Sequence, residues 1–92
     1  MNVIIREAAW ADLDLIYEWI ARDNPSAAAK VIAKIRDKTN LLELDSLAKM
    51  GRSGLAEGTR ELIEHPYIIV YEVNDRQRLI SVLAIVHGVR DR

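Results

Sequence analysis

With 92 residues, 13 basic and 14 acidic side chains, a net charge of −1 and no cysteine, the chain has room for one domain, spanning 1–92, whose fold rests on packing alone. That balance excludes a uniformly basic nucleic-acid binder and leaves any anion-binding surface local. Disulfides and thiolate metal sites are excluded too. No apolar run approaches the roughly 20 residues of a membrane helix, and the first residues lack the charged head and apolar stretch of a signal peptide, so the chain reads as cytoplasmic with no membrane partner.

In chain order, Val3-Ile4-Ile5 is a β-branched run that predicts a first strand. Over positions 8–22 the period becomes helical: Ala9, Leu13, Ile16, Tyr17 and Ile20 share one face, with Asp12, Asp14 and Glu18 expected to point elsewhere. Asp23-Asn24-Pro25 ends this helix and starts the next, since proline disfavours helical angles in the residue before it yet suits the first helical position, and Asn24 can cap. The second helix is expected over 25–44, with Ala28, Val31, Ile32, Ile35, Thr39 and Leu42 on its stripe. So short a turn predicts an antiparallel helical hairpin.

Residues 48–54 read as a loop. Three strand-like runs follow, at 58–63, 66–73 and 79–90, punctuated by Glu64-His65-Pro66 and Asn74-Asp75-Arg76-Gln77 as hairpin turns. The order is β-αα-βββ, an α+β domain with the helical hairpin packed on a small, mostly antiparallel sheet. The last two runs are apolar at nearly every position, which predicts strands covered on both faces, with a bound protein covering part of the face the helices leave open.

The residues that could carry chemistry are few. The middle strand has no Arg, Lys or His. His65 lies in a turn, whereas His87 ends the last strand at the rim of the sheet, where a ligand could meet it. Two histidines without matched spacing make no metal site, and no cofactor is expected. Arg52, Arg60, Arg76, Arg78, Arg90 and Arg92 lie at strand ends and in loops, positions from which guanidinium forks can reach phosphate or carboxylate. No aromatic residues interleave with them as a base-stacking platform requires. Leu15 and Trp19 on the first helix, and Leu41 and Leu44 on the second, fall off the core stripes and mark either a second buried surface or a wide apolar face of the hairpin.

The β-αα-βββ order, together with Gly51-Arg52, Gly58-Thr59-Arg60-Glu61-Leu62, Pro66-Tyr67-Ile68-Ile69-Val70-Tyr71-Glu72-Val73 and Ile85-Val86-His87-Gly88-Val89-Arg90-Asp91, resembles the RelE/ParE toxin superfamily over nearly the whole chain. The resemblance implies the toxin half of a type II toxin–antitoxin pair. Its cognate antitoxin would be a small ParD-like ribbon-helix-helix protein that wraps the toxin and, within a hetero-oligomer, binds the shared promoter DNA.

RelE-like members cut messenger RNA on the ribosome; ParE-like members, the plasmid-stabilisation toxins, poison DNA gyrase. RNA-cutting members carry an Arg directly after the central-strand tyrosine, where this chain has Ile68. Their preceding-strand lysines align with Thr59 and Glu61, a basic residue beyond the last strand falls near Val89, and a terminal Tyr would lie past Arg92. Cleaving RNA needs a base for the 2′-hydroxyl and cations for the phosphorane, and a hydrocarbon at 68 supplies neither. The Pro-Tyr strand opening and His-Gly-x-Arg ending also resemble ParE.

The expectation is therefore a gyrase-binding inhibitor with no catalytic residue. His87, Arg90, Arg92, Arg52 and Arg60 are the candidates for the target, and Leu15, Trp19, Leu41 and Leu44 those for the antitoxin. A ribosome-dependent ribonuclease and a non-toxic interaction module are the competing classes.

Overall fold

The computed structural model describes residues 1–88, and the elements follow the expected order with one short strand added. They are β1 (Asn2–Ile5), α1 (Glu7–Ala21), α2 (Pro25–Asn40), two single 3-10 turns (Leu41–Glu43 and Asp45–Leu47), β2 (Arg52–Ser53), β3 (Arg60–Glu64), β4 (Tyr67–Asn74) and β5 (Leu79–His87). The sheet order is β1-β5-β4-β3-β2. The last four strands pair antiparallel, while β1 runs parallel to β5 with Asn2 opposite Leu79.

The turn between the helices is built as its residues dictate. Asn24 Oδ1 accepts the Ala27 amide at 3.0 Å, and Pro25 occupies the first turn of α2, where its missing donor costs nothing. The second helix is shorter than the expected 25–44. It ends at Asn40, and the next residues tighten into the 3-10 turns, which keep Leu42 fully buried while Leu41 and Leu44 face solvent.

Both helices lie on one face of the sheet. Ala9, Leu13, Ile35 and Leu42 pack against Tyr67, Ile69, Tyr71, Ile80, Val82 and Ile85. Thr39 is the one core position of α2 with a hydroxyl, and it donates to the Ile35 carbonyl at 2.6 Å, so its burial leaves no unmet donor. Tyr17 departs from expectation: it is 43 % exposed, like Trp10 two turns before it, whose ring carries Arg36 of α2. Asp12 departs in the opposite sense. It turns toward the sheet and accepts the Ile85 amide at 2.9 Å.

The supposed loop after Leu47 carries β2 and a close approach of backbone to the core. The Gly51 amide donates to the buried Tyr71 hydroxyl at 2.9 Å. A methyl at position 51 would stand 2.7 Å from that oxygen and 2.8 Å from the Glu61 carbonyl, so only glycine fits. Arg60 Nη1 holds the same segment by donating to the Lys49 and Gly51 carbonyls, each at 3.0 Å.

One irregularity sets the direction of the C-terminal rim. Tyr71 stands opposite Val82 and Val70 opposite Ala84, so Leu83 is an extra residue in β5, a β-bulge. Ile80 and Val82 face the helices before it, and Ile85 and His87 do so after it. On the helix-free face Ile68 is only 6 % exposed, shielded by Ile63 and Val86 opposite it in the ladder. Cross-strand neighbours thus supply much of the cover expected from a second layer.

Candidate functional site

Beyond the end of β1, the outer side of β5 faces α1 across a groove of about 340 Å³, with Leu15, Ile16, Trp19 and Ile85 as apolar walls and Asp12, Glu18, Arg22, Tyr67 and His87 supplying polar atoms. The sequence builds it simply. Asp12, Leu15, Trp19 and Arg22 recur at helical spacing, a second stripe beside the core stripe, and the bulge brings His87 round to meet it.

Leu15 is 64 % and Trp19 58 % exposed, an arrangement that costs water structure unless a partner covers it. Arg22 stacks on Trp19 with its guanidinium carbon 5.5 Å from the ring centroid. His87 sits edge-on to Tyr67, with centroids 5.5 Å apart and planes at 86°. The Asp12–Ile85 hydrogen bond ties helix to strand at the floor. Among the described residues no cluster of three or more His, Cys, Asp or Glu side chains could hold a metal. The groove has the chemistry of a socket for a partner's apolar side chain with a polar rim to orient it.

The sequence-derived candidates divide. The structure brings Leu15, Trp19 and His87 together, and it adds Asp12, Arg22 and Tyr67, which sequence reading passed over although their helical spacing, for the first two, was legible. Leu41 is 42 % exposed in a separate shallow depression beside Lys34, Lys38 and Glu64. Leu44, 56 % exposed, lies between the 3-10 turns.

Arg52 and Arg60 stand apart from His87. Arg60 is opposite Tyr71 and His87 opposite Tyr67, a separation of about 13 Å along the strands and about 10 Å across them. Both guanidinium groups are engaged within the fold. Arg52 donates from Nε and Nη2 to Glu61 Oε1 at 3.3 and 3.2 Å, and Glu61 is buried on the helix-free face, where it also accepts the Leu55 amide at 3.4 Å. Arg90 and Arg92 lie outside the described residues. Among the described residues no helix is long and apolar enough to cross a membrane.

Known proteins place this architecture. The P. aeruginosa chromosomal ParDE toxin–antitoxin system contains a chain that superposes with a TM-score of 0.82 at 27 % identity, covering 95 % of each chain. A chain of the RelBE2 toxin–antitoxin complex from Mycobacterium tuberculosis shares the fold, with a TM-score of 0.67 at 19 % identity over 94 % of this chain and 95 % of that one. A Sinorhizobium fredii protein provisionally named toxin Y4kP is 38 % identical over 81 residues, which cover 83 % of this chain and 76 % of the relative. The family model described as the ParE toxin of the type II toxin–antitoxin system, parDE, matches residues 3–92, and the chain therefore belongs to the ParE toxin family.

Proposed function

We propose that this chain acts by binding DNA gyrase and blocking replication, not by cutting RNA, and that a cognate ParD-like antitoxin neutralises it in a cytoplasmic complex that binds promoter DNA through the antitoxin. The observation that carries this reading is Ile68. The position that holds a cation over phosphate in RNA-cutting relatives is here a hydrocarbon, 6 % exposed and packed beneath its neighbours, and β4 contributes no basic residue. The arginines of β2 and β3 are bound to Glu61 and to backbone carbonyls. The central strand thus offers no cation to offset the charge that develops on a phosphorane.

Target recognition then belongs to the rim, with His87 and, beyond the described residues, Arg90 and Arg92. The antitoxin covers Leu15 and Trp19 in the groove and extends toward Leu41 and Leu44. Arg52 and Arg60 are assigned to the scaffold. The test pairs two assays on the purified chain. Inhibition of gyrase supercoiling, with accumulation of cleaved DNA and relief by the antitoxin, is the expected result. Cleavage of ribosome-bound message with gyrase untouched overturns the proposal, and absence of both activities together with harmless expression in cells identifies a non-toxic interaction module.

A further inference from the structure

The two helices carry opposite charge. Across Glu7–Ala21, α1 has Glu7, Asp12, Asp14 and Glu18 and no basic residue, while across Pro25–Asn40, α2 has Lys30, Lys34, Arg36 and Lys38 against the single acid Asp37. Adjacent helices of opposite charge commonly spend it on each other. Among the described residues, however, no ion pair joins α1 to α2, and the ion pairs lie elsewhere in the fold.

The outer side of the hairpin, away from the sheet, shows why. Arg36 stacks over Trp10 at 5.2 Å and marks the seam between the helices. Tyr17, two turns on from Trp10, and Ala29 and Ala33, in the turns before Arg36, are exposed at helical spacing along that seam. Glu7, Asp14 and Glu18 border it on the α1 side, and Lys30 borders it on the α2 side with Lys34 on the turn beyond and Asp37 as the one acid after them; all are exposed. An apolar seam with small residues facing aromatic ones, acidic along one border and basic on balance along the other, is self-complementary under one symmetry operation. A two-fold axis parallel to the hairpin sets α1 of one copy over α2 of the other, acid on base twice. A two-fold across the hairpin stacks like on like.

We infer that this face is a self-association surface, occupied by the same face of a second copy through α1-on-α2 pairing. It adjoins the groove that holds Leu15 and His87 and shares Glu18 with it, and the inference stands whether or not gyrase is the target. Helices of about 15 residues present about 22 Å of length, and a face about 20 Å wide buries roughly 900 Å² in total, the size of a weak, reversible interface. The association is therefore concentration-dependent and screened by salt.

Sedimentation velocity on the full chain tests it. The expected result is a monomer–dimer equilibrium weakened about tenfold or more between about 50 mM and about 500 mM salt. The double variant D14K/E18K reverses the acidic border and K30E/K34E the basic one, and each alone is expected to be monomeric. Mixed in equal amounts they are expected to form a heterodimer, because both α1–α2 contacts again pair opposite charges. All four substituted residues are exposed, and far-ultraviolet circular dichroism verifies folding of each variant independently. A parent chain that stays monomeric at low salt, a dimer indifferent to either reversal, or a mixture of folded variants that fails to associate overturns the inference.

Discussion

Replacing Asp12 by Ala removes a side-chain hydrogen bond that ties α1 to the end of β5. The Asp12 carboxylate accepts the Ile85 amide at 2.9 Å, past Val82, the last residue that β1 pairs. A hydrogen bond to a charged acceptor contributes about 1.5–3 kcal/mol. Asp12 is only partly buried, so water can reach the freed amide, and the expected loss falls to about 1–2 kcal/mol. For a domain of this size, that lowers the melting temperature by about 5–15 °C. Asn at the same position keeps an oxygen acceptor without the charge, and about half of the loss is expected. Hydrogen exchange locates the effect: the Ile85 amide should exchange faster in D12A while amides near Val73 and Ile80 keep their protection. A D12A protein that melts within about 2 °C of its parent, with Ile85 exchange unchanged, refutes the assignment of Asp12 as the pin of this groove.

Three further expectations concern the support of the sheet. Tyr71→Phe leaves the buried Gly51 amide without its acceptor, a loss of about 1–3 kcal/mol that should lower the urea midpoint without changing the slope of the transition. Gly51→Ala should be worse, and combining it with Tyr71→Phe should rescue it only partly, since the added methyl still meets the Glu61 carbonyl. Asp45 accepts from the Met1 ammonium and from Arg78, and these hydrogen bonds hold its carboxyl below the ordinary 3.8. A depressed folded pKa stabilises above the unfolded value and loses that stabilisation as pH falls through the folded one. Asp45→Asn should therefore cost a small amount of thermal stability at neutral pH, and the difference from the parent should vanish under strongly acidic conditions, a comparison made by melting curves across pH.

The order of elements was legible because each rests on local chemistry. Asn24-Pro25 spells a helix boundary whatever surrounds it, and the β-branched runs at 67–74 and 79–87 leave little alternative to strands. Tyr17 and Asp12 misled for a shared reason. A hydrophobicity stripe says which residues prefer burial, but not which flank of α1 meets a neighbour: Tyr17, at the edge of the stripe, stays 43 % exposed, while a spare strand amide took Asp12. The end of α2 at Asn40 was hidden because Leu41 and Leu42 continue the helical pattern even as the backbone tightens. The site was half visible: Leu15, Trp19 and His87 were each marked by residue type, but their convergence depends on the bulge, and nothing in the alternation of β5 announces an extra residue at Leu83.

That extra residue has a consequence for reading relatives of this protein. The face to which each side chain of β5 belongs is set by counting from Leu83, so a relative of equal length that pairs this stretch without a bulge presents Val86 toward α1 and turns its histidine to the opposite side of the sheet, whereas one that lacks this residue keeps the histidine where it is. Two chains with the same His-Gly ending can thus differ in whether the imidazole lines the groove at all. The identity of a rim residue carries functional meaning across the family only together with the parity of the strand that delivers it.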